Sequence, residues 1–342
     1  MRKALRLVGS LLALFVVAAC NTGSGFVLQH VHIPFAQAHI WTPPEKVPVP
    51  HDDGLQVSLF LLSDLHINAD HQGIADKLHA ALQDIVSFDP VPDAIVLGGD
   101  LVDGGRERDY QKLREILSRY RLPPLYGLMG NHEYYDVWYG PDGTWSSDTM
   151  PNGKTDAQAR ERFIRFMGYP DRPYHDVWIG DVHLIMLSQE VYMQEVPWVG
   201  EGAWYTDEQM QWLREVMKPH ADGRLALVFV HQPLPPPDRN GYSHELMRAR
   251  EFRSILAPYP NVIVFSGHNH IHLETPGRYV QDSAFHWFQN GSVGKSRKEG
   301  ASVSDPSQGL YIQVYPDRVV VRGREFSNRT WVPGAEWTVW LR

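Results

Sequence analysis

Short apolar runs alternate along this chain with segments whose apolar residues recur every three or four positions. Residues 55–62, Leu-Gln-Val-Ser-Leu-Phe-Leu-Leu, are a branched, near-continuous apolar run that predicts a buried strand. Ile74, Leu78, Leu82 and Ile85 then follow at helical spacing. Pro92-Asp93 opens a second apolar run at 94–97, Tyr110, Leu113, Ile116 and Leu117 mark a second helix, and residues 125–129 predict a third strand. This β-α-β-α-β order implies parallel pairing through helical crossovers. Thr155-Asp156-Ala157-Gln158 has the form of a capping box, with Phe163, Phe166 and Met167 on the apolar side of the helix and Gly168 at its end. Thr206-Asp207-Glu208-Gln209 repeats that signature ahead of Met210, Leu213 and Met217. Residues 182–187, 225–230 and 262–265 predict further strands, and 310–315 with 319–321 predict a hairpin about Pro316-Asp317. No repeat or low-complexity block interrupts the pattern, so residues 55–342 are read as one domain that includes the hairpin and tail.

The N-terminus follows another logic. Met1 to Arg6 is basic, residues 7–19 are apolar but too few to span a bilayer comfortably, and the run ends Val17-Ala18-Ala19-Cys20. This resembles a bacterial lipobox, in which the cysteine is acylated and becomes the mature N-terminus. Residues 1–20 are therefore expected to be a signal peptide, and the protein to be an exported, membrane-anchored lipoprotein of the cell envelope. Cys20 is the sole cysteine of the 342 residues, which excludes an intrachain disulfide. Asn21-Thr22-Gly23-Ser24-Gly25 has the composition of a tether. Residues 26–54, rich in proline, are expected to cross the domain surface in extended form, with His30, His32, His39 and His51 solvated or packed. The formal charge of −8 becomes more negative without Arg2, Lys3 and Arg6, which argues against a nucleic-acid-binding face.

Polar motifs stand where the apolar runs stop. Asp64-x-His66 follows the first strand, Gly98-Gly99-Asp100 the second and Gly130-Asn131-His132-Glu133 the third. His231 and Gly267-His268-Asn269-His270 close two later strands. Ligands of α/β sheets bind beyond the carboxyl ends of strands, so five such ends can converge on one spot. Together they supply Asp64, Asp100, Asn131, His66, His231, His268 and His270, enough to hold two metal ions, and leave His132 for acid chemistry. A pair of metals about 3.5–4 Å apart can clamp the attacking and leaving oxygens of an in-line displacement at phosphorus.

On these motifs the chain resembles the calcineurin-like metallophosphoesterase superfamily over residues 55–293. The resemblance implies an α/β fold, a four-layer α/β/β/α sandwich of two mixed sheets with metals at the carboxyl ends of strands. It also implies that Asp64, His66 and His270 bind one divalent metal, that Asn131, His231 and His268 bind the other, and that Asp100 bridges them. Mn, Fe and Zn all suit such donors. A metal-bridging hydroxide would attack phosphorus, and His132 would protonate the leaving alkoxide. Asp103 would orient His132 and raise its pKa. Glu133 is expected to hydrogen-bond behind the ligands. Purple acid phosphatases have a tyrosine where this chain has Asp103, so a tyrosinate-bound ferric ion is not expected. Serine/threonine protein phosphatases follow Gly-Asp-x-Val-Asp with Arg-Gly, whereas Asp103 is followed here by Gly104-Gly105. Arg106 is read as a solvated arginine at a helix start.

Gly291-Ser292-Val293-Gly294-Lys295-Ser296 fails as a phosphate-binding loop because Gln289 stands where glycine is required. Asn290-Gly291-Ser292 resembles the turn after the last core strand of the superfamily, and His272 is read as a neighbour of the ligands. The aromatic segments 134–154 and 190–205 either contact substrate or form a minicore of their own. Trp331, Trp337 and Trp340 are expected to pack on the sandwich. The expected function is hydrolysis of a small phosphodiester or phosphomonoester. The alternative is a non-enzymatic metal- or phosphate-binding surface lipoprotein that keeps the fold, against which His132 and the seven ligands speak. Cys20→Ser is expected to release the protein from membranes or block its processing. An unmodified Cys20 in the intact mass of the mature protein overturns lipidation.

Overall fold

The computed structural model describes residues 40–43, 45–49 and 51–342. The lipobox, Cys20, the tether, His30, His32 and His39 lie outside them. Among the described residues no helix is long and apolar enough to cross a membrane.

Two six-stranded mixed sheets form the centre. The strands are β1 (Val57–Leu62), β2 (Ala94–Leu97), β3 (Leu125–Gly127), β4 (His175–Ile179), β5 (Val182–Met186), β6 (Ala226–Phe229), β7 (Val262–Ser266), β8 (Tyr279–Gln281), β9 (His286–Gln289), β10 (Gln308–Val314), β11 (Arg318–Glu325) and β12 (Thr330–Trp340). The first sheet runs β12-β11-β10-β1-β2-β3 and the second β8-β9-β7-β6-β5-β4. β1, β2 and β3 pair in parallel, as do β5, β6, β7 and β9, while the outer strands pair antiparallel.

The two-residue side-chain period of a strand explains the layers. Val57, Leu59 and Leu61 point between the sheets, where they meet Leu227, Phe229, Ile263 and Phe265. Phe60 and Leu62 point the other way, toward α1 (Gln72–Ser87), α2 (Glu107–Leu117) and α3 (Asp156–Met167). On the far side, Val228, Val262 and Val264 pack under α4 (Asp207–Met217) and α5 (Ala249–Leu256). The expected α/β/β/α sandwich is thus formed. Each large apolar side chain moved from water to one of these layers contributes about 1.5–3 kcal/mol. Helices of 8 to 16 residues are marginal alone, so this packing is what holds them.

Differences from the sequence pattern have local causes. β3 stops at Gly127 because the Met129 amide leaves the ladder and donates to Ser188 Oγ beyond β5, at 2.9 Å. Thr155 forms the full capping box with Gln158, and Gly168 ends α3 in the left-handed conformation. Thr206 forms only half of one. Gln209 turns inward to the backbone of Ser188, and Glu190 takes its place, accepting from the Thr206 amide at 2.7 Å. β4, β8 and β9 escaped the pattern because they are short and carry polar residues. β12 escaped because Pro333 and Gly334 interrupt an edge strand that buries only one face. Trp331 and Trp337 pack on the sandwich, but Trp340 stays 65% exposed, at the edge beside Arg318. Upstream, Val47 and Pro48 run parallel to Phe88 and Asp89, and His51 bonds the Val49 carbonyl.

Thr155→Ala is expected to lower stability by about 1 kcal/mol in urea melts, the usual worth of a cap. Thr206→Ala should be worse, because its hydroxyl also donates to the buried Glu190 at 2.8 Å. Equal losses would refute the assignment of Glu190 as part of the second cap.

Candidate metal centre

The carboxyl ends of β1, β2, β3, β6 and β7 meet at one edge of the sandwich and deliver every predicted ligand there. Past the strands, the loops after β1 and β2 continue to pair, with Asp64 N donating to Gly99 O and His66 N to Asp100 O, both at 3.0 Å. They do so through unusual backbone. Asp64, His66, Asp100, His268 and His270 all have positive φ, between 47° and 70°. Left-handed backbone is uncommon outside glycine, although Asp and His tolerate it better than most residues. It turns consecutive donors of each motif toward the same point. Gly99, at φ 91°, has no room for a side chain: a Cβ there would lie 2.5 Å from His231 Nδ1.

The predicted ligands form two groups that share Asp100, and His66, Asp103 and His132 gather as a third set beside them. Asp64, His66, Asp100 and His270 gather their ligand atoms within 4.8 Å of one another, as do Asp100, His231 and His268. His66 Nε2 stands 2.9 Å from His270 Nε2, and His270 Nε2 is 3.2 Å from Asp64 Oδ1. Asp100 Oδ1 accepts from the His132 amide at 2.9 Å, while Oδ2 lies 3.1 Å from His231 Nε2 and 3.8 Å from His66 Nε2. Asn131 sends its Nδ2 away to Tyr135 and Glu201, and its Oδ1 is buried with no hydrogen-bond partner.

These atoms fit a cation. His231 Nδ1 bonds the Gly98 carbonyl at 2.8 Å, which makes Nδ1 the protonated nitrogen of the neutral ring. Its Nε2 lone pair then faces the Asp100 carboxylate, two electron-pair donors with no proton between them. Burial disfavours charge on His231, but Asp100 overrides it and holds the imidazolium up to about 10 when no metal competes. Burial raises the Asp64 carboxyl, but His270 and its hydrogen bond outweigh that and hold it at about 2. His268 goes the other way, pushed down to about 3 by burial and by His231.

Glu133 lies behind the candidate donors and hydrogen-bonds there, as expected. Its carboxylate accepts from the amides of Gly130, Leu101 and Asp100 at 2.7, 2.7 and 3.0 Å, tying the loops after β2 and β3 together. Burial and the nearby Asp100 push its carboxyl up to about 7.

His132 and Asp103 meet, though not as the sequence suggested. His132 Nδ1 bonds the backbone carbonyl of Asp103 at 2.8 Å, while the Asp103 carboxylate stands 3.6 Å away. That carboxylate lies 3.2 Å from His66 Nδ1 and pairs with Lys295. Burial, despite its own upward push, loses to His66 and Lys295, and Asp103 stays far below the usual carboxylate range. Asp103 does push the His132 pKa upward, as expected, through its carbonyl and its charge, but the net shift is downward. Burial outweighs Asp100 and Asp103 and lowers it to about 4.

A cleft of about 440 Å³ opens over the donors, lined also by Tyr135, Glu201, His244 and Arg297. None of these four was singled out as a ligand or catalyst. His244, at φ 74°, faces His268 with ring centroids 5.7 Å apart. Tyr135 stacks on His132 with centroids 3.8 Å apart. Tyr134, Tyr192 and Tyr205 are buried, so much of the aromatic loops is minicore and only part reaches the cleft. Arg106 corrects the reading of a solvated arginine: it is buried, bonded to Asp109 at 2.8 Å and placed over the Tyr139 ring. His272 bonds the Glu299 carbonyl and takes no place among the donors.

Clustered metal donors at the joined edges of a two-sheet sandwich describe a metal-dependent phosphoric ester hydrolase. The calcineurin-like phosphoesterase family profile matches residues 57–272, and the chain belongs to that family. It is 22% identical over 223 residues to the glycerophosphodiester phosphodiesterase GpdQ of Enterobacter lignolyticus, covering 61% of this chain and 69% of that protein. It is 25% identical over 227 residues to the 3',5'-cyclic adenosine monophosphate phosphodiesterase CpdA of Escherichia coli, covering 64% and 71%. Among solved structures, a dimetal phosphatase from Danio rerio superposes with TM-score 0.62 at 14% identity, covering 84% of this chain and all of that one. A purple acid phosphatase from yellow lupin gives 0.57 at 13% identity, covering 83% and 53%.

With His231 as a ligand, metal uptake would displace the proton that Asp100 holds on its ring. Affinity for Mn²⁺ or Zn²⁺ is therefore expected to weaken as pH falls below about 10, by about tenfold per unit for each proton displaced. Calorimetric titrations in buffers of different ionisation enthalpy read the released protons. A pH-independent affinity with no proton release would refute this protonation pattern.

Proposed function

We propose that this chain hydrolyses small phosphodiesters at a binuclear centre, with His132 as general acid, and that it does so at the cell envelope on a lipid anchor at Cys20. The anchor rests on the lipobox sequence alone. The two phosphodiesterases among its relatives support the preference for diesters. The ligand assignment puts Asp64, His66 and His270 on one metal, His231 and His268 on the other, and Asp100 common to both, which two of the donor groups support, and the unpartnered Oδ1 supports adding Asn131 to the second. When bound, divalent ions at these donors supply Lewis-acid activation of a water and neutralise charge on the phosphoryl oxygens.

The observation that carries the acid assignment is the tether on His132. With Nδ1 bound to the Asp103 carbonyl, Nε2 is left facing the cleft, 4.0 Å from Asp100 Oδ2, on a side chain that is 18% exposed. To donate from Nε2 the ring must be an imidazolium. Burial opposes that state in the resting enzyme, and the Asp100 charge favours it. An anionic phosphoryl group in the cleft adds to the same side of the balance, so protonation of His132 is coupled to substrate binding. Lys295 keeps the Asp103 carboxylate occupied, which leaves the Asp103 carbonyl as the positioning group for His132.

His132→Ala is expected to damage hydrolysis of alkyl phosphodiesters by about 10²–10⁴, the usual worth of a positioned acid. Hydrolysis of bis(p-nitrophenyl) phosphate should suffer far less, because nitrophenolate leaves without a proton. Metal content, measured alongside, should stay near normal. Equal loss on both substrates with full metal content would argue that His132 stabilises charge and delivers no proton.

A further inference from the structure

Asparagine is an ambiguous ligand. Its amide presents an oxygen that can bind a cation and, at nearly the same reach, an NH₂ group that cannot. At Asn131 something must choose between them. The neighbours that do so come from the loop before α4, around Glu201. Glu201 Oε2 accepts from Asn131 Nδ2 at 2.8 Å and from Tyr135 OH at 2.9 Å, and Oε1 accepts from Tyr192 OH at 2.7 Å. Tyr135 OH, its proton given to Glu201, accepts a second bond from Asn131 Nδ2 at 3.1 Å. Tyr192 OH likewise accepts from Trp138 Nε1 at 3.2 Å. Every bond in this network runs toward Glu201, and a carboxylate is a side chain that can accept all of them and donate none.

The result is a fixed amide. Both hydrogens of Asn131 Nδ2 are spoken for on the loop side, so Oδ1 is turned to the ligand side, where it is buried without a partner. The loop is itself held. The Glu201 carbonyl accepts from Gln232 Nε2 at 3.0 Å, next to the ligand His231, and Ala203 bridges to Leu246. Tyr192 is fully buried, which fixes the other end of the network.

We propose that Glu201 is the positioning residue for the second metal, selecting Asn131 Oδ1 as its ligand atom. This rests on the binuclear reading of the site and adds a specific cause for its second half. Glu201 touches neither metal in this proposal and acts through Asn131. The same network orients Tyr135 against the His132 ring, so the insertion that carries Glu201 reaches both the second metal and the acid.

The test is a Mn²⁺ titration of the full metal-stripped protein by calorimetry, with the metal-free unfolding midpoint measured on each variant. Wild type should bind in two steps. Glu201→Ala should weaken one step by about 10–100-fold, the usual effect of losing a partner behind a ligand, and leave the other unchanged. Glu201→Gln keeps the size but has one acceptor and an NH₂ of its own, so it should weaken the same step by less. It also carries the test if the alanine variant loses its fold. Asn131→Ala should weaken that step too, and adding Glu201→Ala to it should cost nothing further, since Glu201 then has nothing to orient. Equal weakening of both steps, no weakening of either, or full additivity with Asn131→Ala would overturn the proposal. A wild type that binds one ion only is a separate outcome, visible before any variant is made, and it overturns the binuclear reading and this proposal with it.

Discussion

Asp64, Asp100, His66, His231 and Asn131 are all buried at the edge where the two sheets meet, where Asp64, His66 and Asp100 gather in one donor group, Asp100 and His231 in a second, and Asn131 Oδ1 has no hydrogen-bond partner. Without a cation that arrangement is costly, because the amides that bond Asp64 and Asp100 replace only part of the water these carboxylates lose, and the Asn131 oxygen gains no partner at all. In the metal-free chain protons take the place of the cation, which is why Asp100 holds a proton on His231 against burial. Much else at this edge serves the same constraint. The left-handed backbone at Asp64, His66, Asp100, His268 and His270 aims the donors. Glu133 accepts from four amides and so ties together the loops that carry Asp100 and Asn131.

The sandwich can tolerate this concentration of strain and charge because the layers behind it are apolar and closely packed. Phe229, Phe265 and Phe288 stack in series between the sheets, with neighbouring centroids 5.1 and 5.5 Å apart. β6 and β7, which end in His231 and His268, are thereby held in fixed register under the site. Function then sits on the strand ends and stability on the strand middles. Substitutions in the two regions should separate accordingly, into effects on metal binding and effects on unfolding.

The candidate donors were legible because each belongs to a motif at the end of an apolar run, and the fold brings the five ends to one edge. Asp103 shows where that legibility stops. Its spacing from Asp100 marks it as a neighbour of His132, and it is one, but spacing cannot say which atom makes the contact. The backbone carbonyl took His132, while the carboxylate went to His66 and Lys295, the latter 192 residues further along the chain. Arg106 misled for a related reason. A charged residue at a helix start looks solvated, and only the fold brings Asp109, Asp70 and the Tyr139 ring around it.

Glu201 had no signal of that kind. It stands between Gly200 and Gly202 in a loop noticed for its aromatic residues, 70 positions from the asparagine it bonds. Those aromatics explain the loop better than any substrate contact does. Tyr134 and Tyr192 bury the base of the two insertions against each other, and Trp138 reaches Tyr192, so the segment after the third motif and the segment before α4 form one body. A body of this kind can present a single carboxylate with accuracy, which an isolated loop cannot. The insertions therefore do more than shape the mouth of the cleft. Through Glu201, Asn131 and Tyr135 they extend the rigid support of the centre beyond the sandwich, on the side where the strands provide no backbone to hold it.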